Sequence, residues 1–446
     1  MLAGGGGEAK DVLITNHAVI FGILMMILGA VFWTANHPKC KWFYKIVPML
    51  LLCYFLPSLL ALFGIVDPGD KTLYRVATRY LLPATLVLLT MSIDLKEIFK
   101  LGPKALVMFI TGTIGVVIGG PIAVLVVGSY APHLVGGDTY DEKWRGYSTV
   151  AGSWIGGGAN QLAMKELYLP EEDMDKEQRQ RAADMFSVMV AVDVIVAEFW
   201  MAFLILGVGY SKQIDKFFGA DASSVDQLQI KMEKFTAKKA RIPTTTDLMV
   251  ICAIGFGVTA IAHLLGYRLS EYFGQFAWAS RFSIDSSFFW LIVLTTLIGI
   301  GMSFTKIKDY EGAGASKLGT IMIYILVAVI GMSMDISALT RYPGYFLVGG
   351  IWMLIHVGLL FLVGALIKAP YFFLAVGSKA NIGGAASAPV VAGAFHPSLA
   401  PVGVLLAVLG YAVGTFGAWL CAIMMSEVAA DAVGQLVRDF LSNSSA

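Results

Sequence analysis

Gly152-Ser153-Trp154-Ile155-Gly156-Gly157-Gly158-Ala159-Asn160-Gln161 lies inside one apolar run, and Gly377-Ser378-Lys379-Ala380-Asn381-Ile382-Gly383-Gly384-Ala385-Ala386-Ser387-Ala388-Pro389 lies inside another. Both stretches are too rich in glycine for an unbroken helix, and each has an amide beside the break. In hydrocarbon, backbone N–H and C=O groups must be paired. Non-helical backbone survives there only when it is buried in protein or lines a cavity. Working outward, the two breaks occupy matching places. Met91-Ser92-Ile93-Asp94 and Met332-Ser333-Met334-Asp335 end similar apolar runs, and each leads into a basic residue and a proline (Lys100 and Pro103; Arg341 and Pro343). Two halves, each with an apolar segment interrupted by glycine, form the sequence pattern of a secondary transporter.

Composition supports a chain that lives in lipid. Of 446 residues, 57% are hydrophobic and 14% charged, with mean hydropathy +0.74. Soluble domains carry about a quarter charged residues. The net charge of +1 and the lack of a basic domain or aromatic–basic patch give no support for nucleic-acid binding. Cys40, Cys53, Cys252 and Cys421 match no metal or redox spacing and read as packing residues. No HExxH or GxSxG motif is present and the histidines are dispersed, so an enzyme is not expected. The glycine-rich start lacks a basic n-region, and the apolar run after it reads as a first membrane helix.

Apolar segments fall at 13–34, 44–64, 73–94, 103–128, 146–167, 184–210, 246–265, 284–303, 318–338, 343–367, 371–394 and 399–425. Each approaches the ~20 residues a bilayer requires. Lys39, Lys41 and Lys45, then Lys96, Lys100 and Lys104, place the first and third connections inside. Lysines crowd 211–243 as well, so this connection should also be inside. Twelve full crossings would leave it outside. The conflict disappears if 146–167 enters and leaves on one side. Each half then has five crossings plus one broken segment, and the halves are inverted. The expected fold is therefore an all-α polytopic membrane protein of two inverted repeats, 1–210 and 246–426. A linker at 211–245 joins them and a tail follows at 427–446. In the linker, Val225, Leu228, Met232 and Phe235 recur at helical spacing among lysines, as in an interfacial helix.

Chemistry should concentrate at the breaks. Freed carbonyls and half-helix ends beside Gly156 and Gly157 are natural ligands for a cation or for the charged end of a solute. Asn160, Gln161 and Asn381 add amides, and Ser153 and Ser387 add hydroxyls. Asp193 and Glu198 sit mid-span, where an uncompensated charge costs at least ~2.5 kcal/mol. Five residues apart, they diverge by roughly 140° on a helix and should not share one ligand. Aligned without a gap, the segment from Ala407 places no acid opposite either one, but offers Thr415 as a hydroxyl donor. Lys379 is the one cation expected deep in the bilayer, able to neutralise an acid or hold a substrate carboxylate, or else to snorkel outward. His356 reads as a hydrogen-bonded packing residue, and Asp94 and Asp335 as interfacial caps.

The order of Met-Ser-x-Asp, a proline at the start of the next span, a glycine-broken helix with a nearby Asn, and a final span resembles a superfamily. It comprises bile-acid/sodium symporters, auxin carriers, sodium/glutamate symporters and cation/proton antiporters. Gly383-Gly384-Ala385-Ala386-Ser387-Ala388-Pro389 with His396-Pro397-Ser398-Leu399-Ala400-Pro401-Val402-Gly403 looks more closely like the YjcL-like family of uncharacterised membrane proteins, domain of unknown function 819. That resemblance runs from about residue 70 onward. It implies inverted repeats, with a core domain holding both broken helices and a panel domain framing it. The symporters' sodium motif would correspond to Gly156-Gly157-Gly158-Ala159-Asn160 and the segment bearing Asp193 and Glu198. The adjacent double acid of many antiporters is absent, since Val194 follows Asp193.

The expected function is sodium-coupled symport of a small polar organic solute, such as an organic anion, amino acid or short peptide. Sodium would sit at Asn160 and Glu198 and the solute among Ser153, Asn160, Lys379, Asn381 and Ser387. Cation/proton antiport is the alternative, and a channel or non-transporting scaffold a further one. Sodium is the only cofactor expected. The partners are the solute and the lipid bilayer, a homodimer is compatible with the sequence, and a bacterial inner membrane is the expected location.

Overall fold

The structure is a computed structural model that describes residues 13–44, 47, 49–66, 71–136, 142–170, 174–230, 242–332 and 343–444. Its long elements are all helical. The first half comprises α1 (His17–Asn36), α2 (Met49–Leu62), α3 (Lys71–Val76), α4 (Leu82–Met91), α5 (Pro103–Gly128), α6 (Lys143–Tyr168) and α7 (Lys176–Val208). A short α8 (Ser211–Phe218) follows. The second half comprises α9 (Thr245–Phe273), α10 (Ser287–Ser303), α11 (Ala315–Gly331), α12 (Tyr345–Leu366), α13 (Tyr371–Asn381), α14 (Gly384–Phe395) and α15 (Ala400–Ser444).

Six helices are long and apolar enough by themselves to cross a bilayer: α1, α5, α7, α9, α12 and the apolar part of α15. The other expected crossings are shorter. α2 and α11 fall below that length. α3 passes into α4 through a π turn at Ala77–Leu81, and α10 ends where the chain bends by 95° into Lys306–Ala313. Residues 333–335 of the repeated phrase and the expected linker residues Met232 and Phe235 lie outside the described residues. Val225 and Leu228 of that linker do pack, joining an apolar cluster with Phe218, Tyr371 and Leu374.

The decisive local feature is α6, which does not run straight. Gly156 (φ −131°, ψ 15°) and Gly157 (φ 69°, ψ −173°) leave the helical conformation, and Gly157 occupies a region that a Cβ would strain. A straight helix of this length would separate its ends by about 39 Å. Instead, Arg145 Nη1 donates to the Tyr168 carbonyl at 3.4 Å, and the Trp144 and Tyr168 rings meet edge-on at 5.2 Å. α6 is a helical hairpin with its tip at Gly156–Gly157. α13 and α14 form another. Gly383 (φ 113°) and Gly384 (φ 58°) turn the chain, and Tyr371 and Phe372 at the foot of one arm stack against Phe395 at the foot of the other, at 6.0 and 5.2 Å.

The two hairpins enter the bundle from opposite ends, and α7 serves as the ruler. Met185 packs on Gly146 near the foot of the first hairpin, and Asp193 meets Gln161 nearer its tip. Further along, the Ala197 carbonyl and Trp200 contact Lys379 and Ser378 of the second hairpin. The Leu204 carbonyl accepts from the Tyr371 hydroxyl at that hairpin's foot. Met185 to Leu204 spans roughly 28 Å of helix. The tips meet in the middle, where a Cβ on Gly384 would lie 3.7 Å from Gly157 Cα. α5, α7, α12 and α15 pack around this pair.

Candidate functional site

Each hairpin tip is closed by the same hydrogen-bonding device. Asn160 Nδ2 donates to the Gly156 carbonyl four residues back at 2.9 Å and to the Tyr411 carbonyl of α15 at 3.5 Å. Its Oδ1 accepts from Thr415 Oγ1 at 2.7 Å. Asn381 Nδ2 donates to the Gly377 carbonyl four residues back at 3.0 Å and to the Phe109 carbonyl of α5 at 2.9 Å. Its Oδ1 accepts from Thr113 Oγ1 at 2.8 Å. In both cases the accepting carbonyl on the neighbouring helix belongs to the residue four before the threonine. The residue just before the threonine is glycine because the amide lies against it. A Cβ on Gly414 would sit 2.6 Å from Asn160 Nδ2, and one on Gly112 would sit 2.8 Å from Asn381 Nδ2. The Gly156 carbonyl, at the first break, is thus paired inside the protein, as hydrocarbon demands; Gly377 lies within α13, before its turn.

Thr415, the expected hydroxyl donor, thus holds at the first tip the place that Thr113 of α5 holds at the second. The signal was present: Gly112-Thr113-Ile114-Gly115 and Gly414-Thr415-Phe416-Gly417 are the same Gly-Thr-x-Gly phrase. Thr296 of α10 extends the second copy, at 3.4 Å from Thr415.

The two acids of α7 face different hairpins, as their helical offset predicts. Asp193 is buried against the first. Gln161 Nε2 donates to its Oδ2 at 2.9 Å, and the Ser153 and Trp154 side chains adjoin the carboxylate. The buried indole N–H of Trp154 makes no hydrogen bond of normal geometry. Tyr54 of α2 donates to Gln161 Oε1 at 3.3 Å, tying this cluster to the first helices of the chain. Glu198 lies beside the second hairpin, 4.0 Å from Lys379 Nζ. Asn160 and Glu198, the expected sodium pair, are therefore placed on different elements with different partners. Asn160 has its amide committed to α15.

Lys379 does not snorkel. Its side chain is 0% exposed, against 38% for Glu198. Nζ donates to the Ala197 carbonyl at 3.0 Å and lies within electrostatic reach of Asp193. It also lies under the tip: a Cβ on Gly383 would be 3.2 Å from Nζ and would collide with Ser387 Oγ. Ser387 Oγ is itself buried without a hydrogen-bond partner. His356 takes the packing role expected of it. Nδ1 contacts the Gly112 carbonyl at 3.0 Å and so carries the proton, which leaves Nε2 to accept from Ser378 Oγ at 2.9 Å. Trp200 Nε1 donates to the same hydroxyl at 2.7 Å. Asp94 likewise takes the bland role, capping at Glu97 and pairing with Lys308 at 3.1 Å.

One buried cluster escaped the sequence reading. Lys165 and Glu166, on the second arm of the first hairpin, are both buried and 3.3 Å apart. The Tyr74 hydroxyl of α3 bridges them, and Lys165 Nζ also lies 4.3 Å over the Tyr74 ring. The residues stand where the apolar run ends, so in sequence they read as ordinary interfacial charges.

Two comparisons bear on this architecture. The family described as "Protein of unknown function (DUF819)" matches residues 22–428. The chain is also similar to the "Uncharacterized membrane protein YjcL" of Bacillus subtilis (strain 168). Identity is 22% over 366 residues, covering 78% of this chain and 83% of that protein. Together with the six long apolar helices, these matches describe a multi-pass integral membrane protein.

Proposed function

We propose a transport function for this chain, which belongs to the DUF819 family of proteins of unknown function: it is a secondary active transporter, coupled to sodium, for a small polar organic solute. The observation that carries the reading is the meeting of two helical hairpins from opposite ends, tip to tip at Gly157 and Gly384. Discontinuous helices at mid-depth are where transporters bind solute and coupling ion. In this reading the halves are inverted repeats. The hairpins with α5, α7, α12 and α15 form a core that moves against a panel made from the remaining helices.

The coupling ion is assigned to Asp193, with Ser153 and nearby carbonyls of the first tip, because this acid is buried beside neutral polar groups. Asn160 closes the tip rather than ligating. The solute is assigned to the second tip, at Lys379 and Ser387. Cation/proton antiport remains the second reading. It is favoured by the buried Lys379 standing between two acids, an arrangement in which a proton could replace a metal cation.

The test is thermal unfolding of the detergent-purified protein in sodium against potassium, across pH, for wild type and Asp193→Asn. A ligand bound only by the native state raises apparent stability by RT ln(1 + [L]/Kd). A sodium-specific rise lost in Asp193→Asn supports symport. A rise for either cation that appears only at high pH selects antiport. No cation effect at any pH sinks both.

A further inference from the structure

Two buried side-chain groups at the second tip are under-satisfied, and both can donate hydrogen bonds. Lys379 has three N–H bonds, full burial and one hydrogen bond, to the Ala197 carbonyl. Ser387 Oγ is buried and unpartnered. Both lie against Gly383, where the lack of a side chain keeps them open to each other. The helix that starts here, α14, has no side-chain cap at its N-terminus. Its first N–H groups add positive potential to the same point. A buried ammonium is costly unless paired and hydrogen-bonded. Its nearest acid, Glu198, stands 4.0 Å away and is more than a third exposed, so it neutralises Lys379 without completing its hydrogen bonds.

We propose that Lys379 and Ser387 form a carboxylate subsite, and that Glu198 is its resident placeholder, displaced when the carboxylate of a solute takes its position. This rests on the transporter reading and names the solute class: small organic carboxylates, rather than amines or neutral molecules. Glu198 sits on the exposed side of the pair. It can swing away without crossing the protein interior, and the ammonium never goes without a counter-charge. The arrangement also accounts for the absence of an acid on the second hairpin itself, since a fixed acid there would compete permanently with the solute.

The experiment is thermal stabilisation of the full-length, detergent-purified protein at constant ionic strength, in sodium and in potassium. The probes are acetate, succinate and glutamate, each against its amide: acetamide, succinamide and glutamine. At least one carboxylate should stabilise wild type while its amide does not. Glu198→Gln removes the competitor and should tighten binding by about two- to fivefold, the worth of a partly exposed pair. Ser387→Ala should weaken it by about fivefold, one hydrogen bond, with thermal stability in the absence of probe unchanged or raised. Lys379→Met should abolish it.

Stabilisation by chloride or sulfate equal to that by carboxylates overturns the proposal. So does weaker binding in Glu198→Gln, and so does unchanged binding in Ser387→Ala. A sodium effect without any carboxylate effect also overturns it, while leaving the transporter reading standing. A carboxylate effect in potassium alone supports the subsite and removes the sodium coupling.

Discussion

The two hairpins share a tip design and differ in how their second arms are held. In α6 the second arm is stitched down along its length. Asn160 binds α15, Gln161 bridges Asp193 and Tyr54, and Lys165 with Glu166 closes on Tyr74. In α14 the residues are mostly glycine, alanine, serine and valine, Pro389 lies inside the helix, and Val390 is 52% exposed. A proline inside a helix removes one backbone hydrogen bond, and small side chains bury little apolar surface. The arm fixed by side-chain hydrogen bonds belongs to the hairpin with the buried acid, and the arm packed through small side chains to the hairpin with the buried lysine. The contrast teaches that equal tips need not move equally.

The largest effect should come from the stitch. Lys165→Met removes the ammonium that pairs with the buried Glu166, which should cost about 3–5 kcal/mol. Replacing both charges, as in Lys165→Met with Glu166→Leu, should recover most of that loss. Denaturation midpoints of the three proteins measure it. Equal midpoints for single and double variants would show that the pair does not hold the arm.

Next come the amides. Asn160→Ala and Asn381→Ala should each cost about 1–3 kcal/mol by removing the buried amide's hydrogen bonds to a threonine and to neighbouring carbonyls. Since the bonding is the same at both tips, the two losses should agree. A clear loss at one tip alone would end the equivalence of the two clamps.

Hydrogen exchange addresses the arms directly. Backbone amides of 384–395 should exchange faster than those of 158–168, because local opening is easiest where few buried contacts resist it. Equal protection in the two segments would remove the distinction between a held and a free arm.

The hairpins were partly legible in the sequence. Glycine density located both breaks, and lysine asymmetry required the first segment to return to the side it came from; the Arg145–Tyr168 contact is the physical form of that return. Asp193 and Glu198 were found because carboxylates in an apolar run are conspicuous. Their partners were not, because Gln161 and Lys379 are fixed by how hairpins pack rather than by spacing along one helix. Tyr74 was invisible for the same reason: an aromatic at the start of an apolar helix announces nothing about a lysine 91 positions later. The Gly-Thr-x-Gly phrases are plain in the sequence, but they fall in helices that do not correspond in chain order, so the repeat alone does not pair them.

The smallest effect should arise at the foot of the second hairpin, where α8 reaches it from the surface. Pro370 precedes α13 and has no side chain that can cap it. Asp215 of α8 does so instead, its Oδ1 accepting from the Tyr371 N–H at 2.7 Å. At the start of the first hairpin Glu142 makes no capping bond; its carboxylate accepts from the Trp144 and Arg145 side chains instead. Desolvation raises the Asp215 carboxyl above its ordinary range, while the hydrogen bond from Tyr371 opposes the shift. Between the ordinary value and the raised one, the folded state holds more protons than the unfolded. Stability from this group therefore falls as pH rises through that window. Asp215→Asn keeps an acceptor for Tyr371 and should remove that pH dependence with little change near neutrality. Asp215→Ala should lose about 1 kcal/mol near neutrality and speed exchange at the foot of α13. Identical behaviour of the Asn and Ala variants would mean that α8 touches the hairpin without holding it.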